Sequence, residues 1–597
     1  MNKVCQNCKQ NFTIEPEDFV FYEKIYVPAP TFCPECRLVR RMVWRNERAL
    51  YKRKCDAPGH NEEIISIYHK ESLVKVYDQK YWWSDNWDPM DYGRDYDWNK
   101  PFFEQFRGLI LTIPHIAVFN TKTANTIYAN HAEGNKDCYL VFGAFRNENT
   151  LYAARPAYSK DSLDLYIVSN LELCYENSYC FDCFMLFFGI NCQRCNNSFF
   201  LYDCRNCSDC FGCVGLRNKQ YYIFGKPYSK EAYFKRLKEF DIEDYRALIK
   251  IKKEFEKFIL NYPHKYAFLT KTINTFGDQV QGAKNCYYCF NLVKGPIEDC
   301  KFLEWGGMGL KDSYDCIGNG AGAEMHYEVI DGIAGSMDHF SIVNYNNSQT
   351  FYTINCHGCS NLFACIGLRN KQYCIFNKQY TKEQYEELVP KIIKHMNEQP
   401  YIDKKGRIYK YGEFFPPELS PFAYNETIAQ EYFPLTKEQA INKGYRWKDQ
   451  ETRNYKITLK TEQIPDHIRD SKDDILDKII QCSHYDLDKK QIICNEQCAT
   501  AFKIIKPELE FYRKMNLPLP RFCPNCRHYQ RIKQRNPLKL WHRQCQCAGE
   551  KSDNKVYQNT IQHFHSNKHC PNEFETTYSP DRKEIVYCEK CYQQEVM

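Results

Sequence analysis

The feature that most constrains this chain is a cysteine module written twice. Residues 8–55 and 498–545 align without a gap at an offset of 490, with nineteen identities in forty-eight positions. Phe32-Cys33-Pro34-Glu35-Cys36-Arg37 returns as Phe522-Cys523-Pro524-Asn525-Cys526-Arg527. Arg45-Asn46, Leu50, Arg53 and Cys55 return as Arg535-Asn536, Leu540, Arg543 and Cys545. One module therefore brackets everything else in the 597 residues.

The spacing points to zinc. Cys5-x2-Cys8 and Cys33-Pro-x-Cys36 are two thiolate pairs, and two such turns complete a closed tetrahedral site. Phe12, Ile14, Phe19, Phe21, Tyr22 and Ile25 are expected to cover a hairpin between them. Pro34 sits where a first helical turn tolerates proline, and a helix is predicted from Arg37 to Arg53. That order is the order of a treble clef. In the second copy Cys494-x3-Cys498 joins Cys523 and Cys526, with Cys482 replacing Cys494 if the loop folds back. Cys545, Cys547, Cys588 and Cys591 form a further expected site. His563, His565, His569 and Cys570 stand ready to replace Cys547 or hold another ion. In the first copy Asp78 and Tyr81 occupy the places of Cys588 and Cys591, so aromatic packing is expected there instead. The expectation is about three Zn2+ sites. A disulfide or redox reading competes. The start of the chain shows no apolar leader, and no apolar run approaches a membrane span, so reduced thiols in a cytoplasmic protein are expected.

The middle of the chain repeats as well. Gly215-Leu216-Arg217-Asn218-Lys219-Gln220-Tyr221 recurs as Gly367 to Tyr373 at an offset of 152. A finer period of eleven is read from Asn197 to Cys207, Ser208 to Asn218 and Lys219 to Ser229. Fixed short periods mean stacked rungs, and a parallel β-helix with Cys and aromatics inside is expected. The rival is a run of zinc knuckles, because Cys180-x2-Cys183, Cys192-x2-Cys195, Cys204-x2-Cys207, Cys210-x2-Cys213, Cys286-x2-Cys289 and Cys356-x2-Cys359 share CxxC form. In a strand, i and i+3 face opposite sides, which favours packing over chelation.

The fold class read from the sequence is multidomain and mainly β: two treble-clef or zinc-ribbon modules flanking a cysteine-rich β-solenoid with inserted and capping helices. The divisions are an N-terminal zinc module (1–80), an aromatic, acidic strap (81–114), and a first solenoid half (115–227). A helical insertion (228–270), a second half (271–380), a connecting region (381–481) and a C-terminal zinc module (482–597) follow. Helices are predicted over Pro101 to Leu111, from Ser229 to about Leu260, after a Thr381/Gln384 capping box, over Lys437 to Lys443, and over Asp473 to Gln481.

Charge supplies the functional expectation. The run 37–54 carries Arg37, Arg40, Arg41, Arg45, Arg48, Lys52, Arg53 and Lys54 against Glu47 alone, and 527–543 carries Arg527, Arg531, Lys533, Arg535, Lys539 and Arg543 without an acid. Interleaved Trp44, Tyr51, Tyr529 and Trp541 offer stacking faces. Arg37, Arg40, Arg41, Arg45, Arg527, Arg531 and Arg535 are therefore expected to contact nucleic acid, RNA in preference to DNA. A four-thiolate zinc is formally dianionic, and that alone accounts for two or three arginines. The alternative is accordingly a scaffold with purely structural zinc and protein partners. A third reading, a carbohydrate-active β-helix, would rest on the scattered Glu172, Glu176, Glu298 and Glu304. No metalloprotease, deaminase, phosphate-loop or nucleophile-elbow motif is present, and a net charge of +6 sets no strong global field.

The paired modules, the Tyr81-Trp82-Trp83-Ser84-Asp85 strap, the Gly-Leu-Arg-Asn-Lys-Gln-Tyr repeats and the ending Val586-Tyr587-Cys588-Glu589-Lys590-Cys591 together carry a resemblance. The chain resembles a family of large cysteine-rich proteins from uncultivated bacteria, to which zinc binding is ascribed and no activity is established. The resemblance implies zinc binding and nothing further.

Overall fold

The computed structural model describes residues 1–449, 455–489 and 491–596. The first module opens on an antiparallel hairpin, Asn2–Val4 with Asn11–Thr13. A helix, Pro16–Lys24, follows where a hairpin cover was expected. The second cysteine pair opens the knuckle helix Pro34–Met42, with Cys33 as N-cap and Pro34 in the first turn. That helix ends at Met42, well short of Arg53. Asn46 donates to the carbonyls of Ala49 and Ile67 and accepts from the Ala49 N–H, which gives the backbone a turn in place of a helix. Tyr51–Lys54 then pairs antiparallel with Glu63–Ser66.

The last module repeats this order. Ile480–Gln481 pairs with Ala501–Phe502, helix Lys506–Met515 precedes knuckle helix Pro524–Ile532, and Trp541–Gln544 pairs with Glu573–Thr576. The helix expected over Asp473 to Gln481 is only a single turn, Asp473–Asp477, before that first strand.

Between the modules run two ladders, parallel except for the last strand of each, which folds back antiparallel: one of nine strands from Tyr139–Phe142 to Lys226–Pro227, one of thirteen from Leu269–Thr270 to Lys378–Gln379. In the first ladder, and from Tyr327 onward in the second, the step is twelve residues, not eleven: Asn196 pairs with Ser208, Ser208 with Gln220 and Tyr327 with His339. Earlier in the second ladder it widens to fourteen and thirteen, as at Ala283↔Ile297 and Tyr314↔Tyr327. Eleven occurs only where the second ladder begins, at Ile273↔Lys284. The cause is local. From Lys122 to Phe224 every third residue has φ near +50°, with Gly134, Gly143, Gly212 and Gly215 filling some of these slots. Each left-handed residue turns the chain through a corner, so a twelve-residue turn has four sides. Each side bridges the same side of the next turn, as at Ser178↔Ile190, Phe181↔Gln193, Phe184↔Asn196 and Phe187↔Phe199, a closed four-stranded parallel arrangement. Asn and Asp tolerate this conformation best. They also stack along the corners: Asn170 donates to Asp182 at 2.8 Å and Asn206 to Asn218 at 3.1 Å.

Three-residue sides point every third side chain inward. The first ladder's interior therefore reads Cys180, Cys183, Leu186, then Cys192, Cys195, Ser198, Leu201, then Cys204, Cys207, Cys210, Cys213, all buried. This corrects the alternation argument, because a corner intervenes between i and i+3 and both face the same interior. The interior here is lined by Cys, Ser and Leu, and most of these thiols lie within hydrogen-bond reach of two carbonyls, Cys180 and Cys183 of one. Cys192 reaches Ile190 O at 3.4 Å and Leu201 O at 3.5 Å. Thr150 fills an equivalent slot with the same pair of bonds, to Glu148 O and Ser159 O. Burial pushes the Cys138 thiol up to about 11 and that of Cys374 to about 12, so these two stay protonated donors.

Helices Lys230–Leu237 and Tyr245–Ile259 pack beside the first ladder; the single run expected from Ser229 breaks at left-handed Asp241 and is recapped by Asp244. Ser229 and the Thr381/Gln384 box cap as read, the latter opening Lys382–Glu398. The strap packs on the end of the second ladder, where Arg369 donates to Trp83 O at 2.7 Å and Asn377 to Pro89 O at 3.0 Å. Among the described residues no helix is long and apolar enough to cross a membrane.

The modules dock crosswise. The knuckle helix of the first module clamps the second ladder through Asp315 and Glu328. The knuckle helix of the last module clamps the first ladder through Asp164.

Candidate metal centres

The first module gathers Cys5, Cys8, Cys33 and Cys36, the four residues named from the sequence, with all four sulfurs within 4.8 Å of one another. Cys8 and Cys33 Sγ are 3.7 Å apart. A tetrahedron with metal–sulfur bonds of about 2.3 Å has sulfur–sulfur edges of about 3.8 Å, so the donor set fits a metal ion. The knuckle helix aims its N-terminus at this cluster, and the Cys33 N–H donates to Cys5 Sγ at 3.2 Å.

In the last module Cys482, Cys498, Cys523 and Cys526 form the equivalent cluster, with Cys523 and Cys526 at 3.5 Å and Cys482 and Cys526 at 3.8 Å. The Cys523 N–H donates to Cys482 Sγ at 3.2 Å, the bond Cys33 makes to Cys5. Cys482 thus takes the place of Cys5, and the knuckle is opened by an inserted hairpin, Tyr485–Asp486 with Gln491–Ile492. Cys494 lies at the rim of this cluster, grouped with His484, Glu496 and Cys526.

The third cluster is Cys545, Cys570, Cys588 and Cys591. Cys570 Sγ lies 3.8 Å from Cys588 and 3.6 Å from Cys591. Cys547 is not in this set, where the sequence placed it; it stands with His563, His565 and Cys591. His569 points away, to Asp553. Cys570 takes the fourth place through the inserted segment, a substitution that sequence spacing left open.

Close packing splits the thiols of each cluster. Hydrogen bonds from neighbouring thiols, first Cys33 for Cys5 and first Cys545 for Cys588, drive Cys5 and Cys588 well below the ordinary thiol range. No cysteine forms a disulfide. Among the described residues no ladder cysteine belongs to such a group, and Cys55, alone in its part of the first module, accepts the Asp78 N–H at 3.2 Å.

The arginines expected to meet nucleic acid are inside the protein. Arg37, Arg40, Arg41 and Arg45 are 2%, 1%, 0% and 2% exposed, and Arg527 and Arg531 are each 3% exposed. Arg37 Nε and Arg41 Nη2 donate to the two oxygens of Asp315 at 3.0 and 2.9 Å. Arg40 bridges Glu328 and Glu413 at 2.5 and 2.6 Å, and Arg45 holds Glu47 at 2.6 Å and Asp331 at 3.3 Å. Burial would raise Asp331, yet Arg45 and His131 hold its carboxyl at about 2. Arg535 is half-buried, stacked 3.7 Å from the Tyr432 ring centre and bonded to Glu431 O. Glu47 apart, the two runs looked free of acids because most of their partners, Asp164, Asp315, Glu328 and Glu413 among them, are hundreds of residues away. Of the carboxylates considered for sugar chemistry, Glu304 is bound by Arg155 at 2.7 Å and Glu176 by Lys252.

No family model matches the chain, and no curated protein matches it. Among solved structures, a protein described as a "putative acetyltransferase" from Desulfovibrio desulfuricans G20 aligns at 8% identity over 49% of this chain and 86% of that one, with a TM-score of 0.10. A superposition that loose carries no argument.

Proposed function

We propose that this chain is a non-enzymatic scaffold in which zinc is structural. Two treble-clef modules grip a four-sided β-solenoid and hold its outer faces as a rigid surface for protein partners. One observation carries the reading: the knuckle arginines are buried in ion pairs with solenoid carboxylates. An arginine desolvated and ion-paired this way is out of reach of a phosphate in solvent. Zinc is the metal favoured by closed four-thiolate sets, which leave no open position for catalysis.

The test is binding of the zinc-loaded full chain to labelled single-stranded RNA and duplex DNA across a salt series, beside Arg41→Ala and Arg531→Ala. The expected result is no steeply salt-dependent binding, with lowered thermal midpoints in both variants. Tight, salt-steep binding lost in the variants at unchanged midpoint would restore the nucleic-acid reading.

A further inference from the structure

The last module holds two ligand sets that share one sulfur. Cys591 belongs both to the set Cys545, Cys570, Cys588, Cys591 and to the set Cys547, His563, His565, Cys591. We infer that the C-terminal module binds two metal ions bridged by the Cys591 thiolate, the outer ion held by Cys547, His563 and His565. This deepens the zinc reading above and rests on it for the inner ion only.

The geometry of the outer set supports a site and not a chance cluster. His563 Nδ1 is 3.1 Å from Cys547 Sγ, and His565 Nε2 is 3.3 Å from Cys591 Sγ. A shared tetrahedral ion requires nitrogen–sulfur edges of about 3.5 Å, from bonds of about 2.05 and 2.3 Å. Each histidine is backed on its other nitrogen. His563 Nε2 donates to Glu595 Oε1 at 2.7 Å, and His565 Nδ1 donates to Lys568 O at 2.6 Å. Such backing fixes tautomer and ring orientation and is how metal-bound imidazoles are held. Glu595 is itself built in: its side chain is 1% exposed and accepts from Tyr557 OH, Thr560 N–H and Thr560 OH. A buried carboxylate with four donors has one evident use here, aiming His563. Asn559 donates to Cys547 Sγ at 3.1 Å, and Asn572 to Cys588 Sγ at 3.3 Å, which favours thiolates in both sets.

The charge balance agrees. Five thiolates around one dication would leave a net charge of −3 in a buried site. A second dication and two neutral imidazoles reduce it to −1. A thiolate has lone pairs enough to bridge, and Cys591 lies where both tetrahedra meet. Soft and borderline dications, zinc or cobalt, suit this donor set.

The experiment uses the full chain, reconstituted with zinc or with cobalt. Metal content is measured for the parent, for His563→Ala with His565→Ala, and for Cys588→Ser. The parent is expected to bind four zinc ions, the double histidine variant three. In the cobalt form a thiolate bridge couples the two ions magnetically, so the parent shows an attenuated electron paramagnetic signal and the histidine variant recovers full intensity per cobalt. A parent that binds three ions, with a histidine variant identical to it in content and signal, overturns the bridged pair while leaving structural zinc intact. Unchanged metal content in Cys588→Ser would overturn the inner site itself. Glu595→Gln, which keeps the side chain's shape and removes its charge, is expected to weaken retention of one ion by roughly 10–100-fold against a chelator.

Discussion

Asp164 Oδ1 accepts a 2.6 Å hydrogen bond from Arg531 Nη1, across 367 residues of chain. Arg527 takes the other oxygen of the same carboxylate at 2.9 Å. At the opposite end of the sequence Arg37 and Arg41, the aligned residues of the first module, divide Asp315 between them in the same way. Both aspartates sit at left-handed corners, φ 60° and 56°. A corner points its side chain outward and fixes its direction, so an i, i+4 arginine pair on one helix face reaches both oxygens. The aromatics follow suit: Phe21 stacks on Tyr314 at 3.9 Å, and Tyr512 meets Tyr175 edge-on at 5.7 Å.

Breaking a clamp is expected to be expensive. Arg531→Ala leaves Asp164 buried with half its partners, a loss of about 3–5 kcal/mol for an uncompensated buried charge. The thermal midpoint should fall, and hydrogen exchange should rise first around Pro524–Ile532 and the first ladder. A midpoint shift no larger than that of an exposed lysine variant would refute the clamp.

Removing metal should unfasten the ends before the middle. With a strong chelator, residues 1–60 and 480–596 are expected to lose exchange protection while the ladders keep theirs. The ladder thiols hydrogen-bond to carbonyls and need no ion. Uniform loss of protection along the chain would contradict this division.

Acid should destabilise the fold through buried histidines. Burial holds His115 and His264 at about 4, against about 6.5 for an exposed imidazole. Between those values the unfolded chain takes protons that the folded chain refuses. The stability is therefore complete above about pH 6.5 and drains as pH falls towards 4, by about 3 kcal/mol per histidine. The midpoint-versus-pH slope over that window should shrink in His115→Gln. An unchanged slope would show that other groups carry it.

The corners should discriminate by backbone and not by side-chain burial. Asn206 is exposed at φ 51°. Asn206→Val is expected to cost about 1–2 kcal/mol and Asn206→Gly much less, because only glycine adopts this conformation freely. Equal losses in both variants would mean that the stacked amide bond to Asn218 is what matters.

Much of this was legible in the residues. Duplication located both modules, and proline after the first cysteine of each knuckle pair placed the helix starts. The repeat showed that the middle is built from stacked short strands. The period itself was misread because aromatics, the most visible residues, sit on outer faces and shift phase; the regular signal is small residues at every third position. Cys482 and Cys570 were harder, since each joins its cluster through an inserted segment whose path no spacing rule encodes.

The sequence by itself determined the chemistry at short range: which thiols come in pairs, where helices are capped, which residues are small enough to line a four-sided turn. Tertiary structure decided where the arginines lie. Charge along a chain is counted locally, but a buried arginine is defined by carboxylates brought to it from hundreds of residues away. Crosswise docking of each module on the distant ladder turned an apparent phosphate-binding surface into the inside of the protein.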